Sequence, residues 1–186
     1  MRLILIRHGE TEWARSGRHT SYTDLPLTEN GGAQAAALKL RLEKFSFALV
    51  LSSPRLRART TCELAGLGTK MEISEDLREF DYGQYEGLLK SEILAMAPNW
   101  NIFRDGCPGG ETPAHVVARV EQVIERVRGV NSDVVVFSHG HLSRILATVW
   151  LGLPLMFGAQ LKLDTCTVNI LTWENKLASL QSWNCG

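Results

Sequence analysis

The sequence predicts an α/β layered domain built on a largely parallel sheet. Three observations lead there. Short continuous apolar runs recur along the chain, each ends abruptly at a polar turn, and stretches of helical period separate them. Unbroken apolar runs belong to strands covered on both faces, which in an open sheet are parallel strands joined through helices.

The first run, Leu3–Ile6, closes at Arg7-His8-Gly9 and reads as a buried strand feeding a loop. Glu29–Leu42 follows with helical period. Ala48–Leu51 is the second strand, ending at Ser52-Ser53-Pro54, and Leu56–Leu67 is the helix after it. Leu88–Met96 and Pro113–Val127 are two further amphipathic helices. The third run, Val134–Phe137, ends at Ser138-His139-Gly140-His141 and feeds a helix over Leu142–Leu151. Thr167–Trp173, with its β-branched residues, reads as a late strand. No internal repeat or low-complexity tract appears. The Gly- and Pro-bearing stretch 98–113 reads as an irregular insertion over the domain.

A length of 186 residues, 45% apolar and 22% charged, suits one core that buries roughly 70% of the unfolded surface, so residues 1–186 are expected to form a single domain. Twenty basic and twenty acidic side chains cancel, which argues against a nucleic-acid or membrane-surface partner. The basic half is lopsided, with 14 Arg against 6 Lys, and guanidinium suits bidentate grips on carboxylate or phosphate. Cys62, Cys107, Cys166 and Cys185 form no C-x-x-C pair, so free thiols are expected, with neither a zinc site nor a disulfide framework. The run after Met1 is too short for a signal-peptide core. Ile145–Phe157 is interrupted by Pro154 and falls short of the ~20 residues that span a bilayer. A cytoplasmic protein is the expectation.

In an open parallel sheet, ligands collect at the carboxyl ends of the strands. His8 and His139 each lie two residues past an apolar run and are each followed by glycine. Singly, either reads as a structural histidine; as a pair in equivalent positions they point to a site. Glycine lets the backbone approach a bound group and frees its N–H to donate. Arg7 precedes His8, while Arg55, Arg57 and Arg59 follow the second run at alternate positions. Residues two apart on a helix lie about 200° around its axis, so at most one or two of these three point into a common site. A cationic helix start opposes the macrodipole unless an anion also sits there, which favours an anion-binding reading. In Leu77-Arg78-Glu79-Phe80-Asp81-Tyr82-Gly83, an extended chain puts Glu79 and Asp81 on one side. A carboxyl held against Phe80 or Tyr82 can keep its proton and serve as a general acid; a plain surface turn explains the stretch equally well.

Four segments in order, Arg7-His8-Gly9-Glu10-Thr11, Ser53-Pro-x-x-Arg57-Ala58-x-x-Thr61, Leu77-x-Glu79-x-x-Tyr82-Gly83 and Ser138-His139-Gly140, resemble the signatures of the histidine phosphatase superfamily, phosphoglycerate mutase-like branch. The resemblance runs from Leu3 to at least Leu151. It implies a three-layer α/β/α sandwich, a phosphohistidine intermediate, no metal and no cofactor. His8 resembles the nucleophile, and Arg7, Arg57 and His139 resemble the groups around the transferring phosphoryl. Glu79 matches the proton donor to the leaving alcohol. Thr20, Gly140 and His141 are expected to bind substrate, His141 either lining the pocket or capping the following helix.

Where the mutases continue Trp-Asn after the nucleophile, this chain has Trp13-Ala14, and where they carry a longer basic insertion it has the compact stretch 98–113. A resting phosphoenzyme needs water kept out, and a short lid excludes water poorly, so the resemblance favours a hydrolase over a mutase. Longer strings, among them Thr23-Asp24-Leu25-Pro26-Leu27-Thr28 and Trp100-Asn101-Ile102-x-Arg104-Asp105-Gly106-Cys107, resemble the sugar-bisphosphatase members. They imply a small phosphorylated sugar as substrate, with sedoheptulose 1,7-bisphosphate the best match. Stretch 98–113 would then be a lid that sets specificity, with Arg104 either on the second phosphate or an exposed loop arginine. Mutase-type phosphoryl transfer, a phosphoprotein phosphatase and a non-catalytic phosphate-binding module are the competing readings. The oligomeric state stays open.

Overall fold

The computed structural model describes residues 1–174 and 177–186. In chain order the elements are β1 (Arg2–Arg7), α1 (Glu12–Ser16), α2 (Glu29–Leu42), β2 (Phe47–Ser52), α3 (Leu56–Leu64), β3 (Met71–Ile73) and α4 (Lys90–Met96). Then come α5 (Ile102–Asp105), α6 (Pro113–Arg128), β4 (Asp133–Ser138), α7 (Gly140–Trp150), β5 (Val168–Glu174) and β6 (Leu177–Cys185). One six-stranded sheet has the order β3-β2-β4-β1-β5-β6. β1, β2, β3 and β4 run parallel, and β5 and β6 add antiparallel strands at one edge.

The apolar runs are explained by what lies on each side of them. Along β1, Leu3 and Leu5 face one core while Ile4 and Ile6 face another; Val134 and Val136 of β4 part from Val135 and Phe137 in the same way. Helices α6 and α7 close the first core with Val116, Val120, Leu142 and Ile145. Helices α2 and α3 close the second with Ala35, Leu38, Leu42 and Cys62. The result is the expected three-layer α/β/α arrangement with a mostly parallel sheet.

Local chemistry sets the helix limits. The Oγ1 atoms of Thr11, Thr28 and Thr112 accept first-turn N–H groups from Ala14, Gly31 and His115. α6 adds Pro113 at its first position, where a missing N–H costs nothing. α3 stops at Leu64, three residues before the expected Leu67. Gly66 takes φ +80°, and Gly66 N–H and Leu67 N–H turn back onto the carbonyls of Glu63 and Cys62 in a Schellman closure. α4 starts at Lys90, two residues later than expected, because Glu92 reaches back to the N–H of Leu89. β3 and β6 carry no apolar run and were not expected.

One topological feature places the site. β1 and β4 are adjacent and parallel, yet the α2 side of the sheet receives the chain after β1 and the α7 side receives it after β4. Their carboxyl ends therefore open on a crevice between diverging chains.

Candidate active site

Arg7 and Ser138 are register partners at the ends of β1 and β4, and His8 N–H donates to Ser138 O at 2.9 Å. His8 and His139 are the next residues on each chain, so their rings meet with centroids 5.2 Å apart at 63°. His8 Nδ1 lies 2.8 Å from Gly9 O. A carbonyl only accepts, so Nδ1 carries the proton and Nε2 presents its lone pair. Arg57 Nε–H donates to that atom at 3.3 Å. Burial, then the charges of Arg57 and Arg7, holds the His8 pKa well below 6.5. His139 is held down by burial, Arg57 and His8, and its Nε2 meets Ser53 Oγ at 2.7 Å. Two neutral imidazoles thus lie beside two guanidinium groups.

Arg57 is fully buried in the first turn of α3. Its Nη1 donates to Thr23 O and its Nη2 to the carbonyls of Thr20 and Ser21, each at 3.2 Å, so it holds the 20–23 loop as well as His8. Of the three alternating arginines only this one reaches the site. Arg55 stacks on the Tyr22 ring at 4.6 Å, and Arg59 is exposed. The anion expected at this helix start is supplied by the chain itself: Asp24 Oδ1 accepts Leu56 N–H at 2.8 Å. Arg7 donates through Nη1 to Leu163 O at 2.6 Å.

Glu79 lies beyond the sheet, between 3₁₀ turns at Glu75–Leu77 and Gly83–Tyr85. Its Oε1 accepts the N–H groups of Phe80 and Leu142 at 2.9 Å, and its Oε2 accepts His141 N–H at 3.0 Å. The carboxylate therefore caps α7, whose first residues follow His139 directly. Oε1 is saturated by two donors, whereas Oε2 keeps one lone-pair position. Asp81 is a turn residue, its Oδ1 accepting Gly83 N–H at 2.9 Å. His141 lines the cleft and does not cap the helix with its ring; its Nδ1 meets the Tyr82 hydroxyl at 2.6 Å.

Arg7, Glu79, Thr20, Gly140 and His141 line a cleft of about 420 Å³. His8, only 5% exposed, is more deeply placed, as are Arg57 and His139. Trp100, Asn101, Ile102 and Phe103 bring stretch 98–113 to the same cleft. Arg104 does not arrive with them. It turns to Asp105, Nε to Oδ1 at 2.7 Å and Nη2 to Oδ2 at 2.8 Å, and to Asn99 O at 2.6 Å, leaving it on the exterior. Of the two expectations for Arg104, the arrangement is that of the exposed loop arginine, held by Asp105 and by the Asn99 carbonyl that precedes α5. Gly9 has no free N–H to offer a bound group. Its N–H is occupied by Thr61 Oγ1 at 2.9 Å, and a Cβ there would come within 2.5 Å of Gly31 O, so its bareness serves helix packing. At Gly140 a Cβ would sit 3.6 Å from Arg7 Nε, an ordinary contact.

Arg18 also lines the cleft, as do Arg144, His19 and Lys90, which the sequence reading missed. Arg144 stands one turn after Gly140 on α7; its Nε donates to Gly140 O at 3.1 Å and its guanidinium lies 5.1 Å from the Phe103 ring centroid. It forms no ion pair among the described residues. The i, i+4 spacing from Gly140 was the available signal.

The family model described as "Histidine phosphatase superfamily (branch 1)" matches residues 3–186. The chain is 39% identical over 183 residues to an acid phosphatase of Mycobacterium tuberculosis, covering 96% of this chain and 90% of that protein. It is 36% identical over 196 residues to sedoheptulose 1,7-bisphosphatase of Saccharomyces cerevisiae, covering 88% and 71%. The solved structure of an open-reading-frame product from Mycobacterium tuberculosis superposes with a TM-score of 0.94 at 36% identity, covering 99% and 97%. No described helix is long and apolar enough to cross a membrane. The chain is a phosphatase and belongs to the histidine phosphatase superfamily, branch 1.

Proposed function

We propose that the chain hydrolyses small phosphorylated sugars through a phosphohistidine on His8. The observation that carries this reading is the tautomer of His8, with Nδ1–H fixed on Gly9 O and the Nε2 lone pair held beside Arg57. In the first displacement Nε2 forms a bond to phosphorus as the ester P–O bond breaks, and Glu79 gives a proton to the departing oxygen. Oε2 is the atom for that transfer, because Oε1 already accepts two N–H groups. In the second, water attacks phosphorus, Glu79 takes its proton, the N–P bond breaks and inorganic phosphate leaves. Arg7, Arg57 and His139 surround the equatorial oxygens, where charge persists throughout. Thr20, Gly140 and His141 would contact the rest of the substrate.

Two features of the cleft support this substrate class. A volume of about 420 Å³ suits a small molecule rather than an extended phosphopeptide. Arg144, a guanidinium at the cleft wall with no ion-pair partner among the described residues, favours a second anionic group on that molecule. A sugar bisphosphate fits both features, and the similarity to the yeast sedoheptulose 1,7-bisphosphatase supports that choice. Stretch 98–113 would set specificity through Trp100–Phe103. The four free thiols support a reducing compartment such as the cytoplasm.

The test is hydrolysis across sugar bisphosphates, sugar monophosphates, phosphoglycerates and a phosphopeptide, with excess chelator present, alongside capture of an acid-labile phosphoryl group. Preference for the bisphosphates, and labelling lost in His8→Ala, are expected. Labelling that persists in that variant overturns the nucleophile, and preference for the phosphopeptide overturns the substrate class.

A further inference from the structure

The segment that presents Glu79 has no sheet partner, so its backbone must be held by something else. Leu77 O accepts from Ser138 Oγ at 2.9 Å. The neighbouring carbonyls converge on one side chain of α6. Arg119 Nη1 donates to Asp76 O and Arg78 O, both at 2.7 Å, and Nη2 donates to Glu79 O at 3.2 Å. The remaining donors grip Glu111, Nε to Oε1 and Nη2 to Oε2, each at 2.9 Å. All five N–H donors of the guanidinium are then used. Glu111 in turn holds the far side of Glu79: its Oε2 accepts Asp81 N–H at 2.9 Å, and its own N–H donates to Asp81 O at 3.0 Å.

We infer that Arg119 and Glu111 are the positioning pair of the proton donor, fixing the backbone on both sides of Glu79 so that its carboxyl meets the leaving oxygen. The inference rests on the reading of Glu79 as that donor. Arg119 does not line the cleft, so it acts on chemistry through the backbone it holds. Its planar fork explains why arginine is present: three carbonyls and a carboxylate are spanned by one rigid group, which a lysine point charge cannot do. Glu111 lies near the end of stretch 98–113, whose residues Trp100–Phe103 line the cleft, so the pair also ties that wall to the acid. Burial raises the Glu111 carboxyl, but the contact with Arg119, the Asp81 N–H and the charge of Arg78 together outweigh it, and the pKa stands below its ordinary value.

A misplaced acid has a signature that simple loss of stability lacks. Aryl phosphates with acidic leaving groups need little protonation, whereas alkyl phosphates need it fully. Arg119→Met, Arg119→Lys and Glu111→Gln should be assayed from 4-nitrophenyl phosphate to alkyl phosphates, with Glu79→Gln as the reference and melting temperatures recorded. We expect Arg119→Met and Glu111→Gln to lose about tenfold or more in kcat/KM on alkyl phosphates against about threefold or less on the aryl ester, with Arg119→Lys between them and wild type. Equal losses on all esters, or none, overturn the inference while a steep Glu79→Gln profile leaves the donor reading standing. A flat Glu79→Gln profile overturns the donor reading and the inference with it. Should Arg119→Met fail to fold, Glu111→Gln and Arg119→Lys decide the question.

Discussion

Arg57 Nε–H lies 3.3 Å from His8 Nε2, so the lone pair that would attack phosphorus is held by a buried cation. The same guanidinium fastens the 20–23 loop through three carbonyls. Arg57→Lys keeps the charge and loses the fork. The expected outcome is a fall in kcat/KM of about 10²-fold or more, the range for removing a fixed donor to a transition-state oxyanion. Steady-state kinetics on 4-nitrophenyl phosphate checks it; near-normal turnover would show that charge alone suffices.

Four histidines of the cleft, His8, His19, His139 and His141, have pKa values lowered first by burial. Nearby cations reinforce this: Arg57 and Arg7 at His8, Arg57 at His139, Arg144 at His141. Their unfolded values stay near 6.5, so between that pH and their own lower values the unfolded chain binds more protons. The histidine contribution to stability is therefore level above about pH 6.5 and falls below it, by up to about 1.4 kcal/mol per pH unit for each histidine. Carboxylates held low, such as Glu111, add their own loss only further down, below an ordinary value of 4.5. Urea midpoints at pH 7.5, 6.5 and 5.5 test this, and equal midpoints at all three contradict it. The acid limb of kcat/KM should also lie below 6.5, because His8 stays unprotonated there.

What was legible in the sequence was what short-range chemistry decides. β1, β2 and β4 were readable because both faces of each are covered, and with them came the placement of His8 and His139 at strand ends. β3 is three residues long with Glu72 and Ile73 exposed, and β6 mixes polar and apolar side chains at a sheet edge, so neither left an apolar run to read. His19 and Arg119 act only once distant elements have met, and nothing in their immediate neighbours marks them; Arg144 is marked only by its i, i+4 spacing from Gly140. Arg104 stayed open between two readings because its motif does not show which acceptors reach it, Asp105 beside it and the carbonyl of Asn99.

The contact between the loop after β1 and the first turn of α2 separates three glycines. A Cβ on Gly31 would stand 2.1 Å from Glu10 O, and one on Gly9 2.5 Å from Gly31 O; on Gly32 it meets nothing within 4 Å. Alanine gains about 1 kcal/mol of helix propensity at either helical position, while overpacking costs about 1–3 kcal/mol. Gly32→Ala should therefore stabilise the protein. Gly31→Ala and Gly9→Ala should destabilise it and reduce turnover, since Gly9 adjoins His8. Thermal midpoints of the three variants decide, and a stabilised Gly31→Ala would refute the close approach.

Arg144 and Arg104 separate two origins for selection of a second anionic group. Arg144 lines the cleft with no carboxylate partner among the described residues, while Arg104 is exposed and paired with Asp105. A guanidinium already satisfied by a neighbouring carboxylate must give up that pair before it can bind a phosphate; one facing a cleft without a counter-ion need not. The expected outcome is that Arg144→Met raises KM for sugar bisphosphates by about tenfold or more, the scale of one charge-assisted hydrogen bond at about 1.5–3 kcal/mol, and changes 4-nitrophenyl phosphate far less. Arg104→Ala should leave both substrates within about twofold, because an exposed, solvent-screened pair outside the cleft contributes little. The reverse pattern, with Arg104→Ala selective for bisphosphates and Arg144→Met uniform, would require stretch 98–113 to rearrange on binding and bring Arg104 inward.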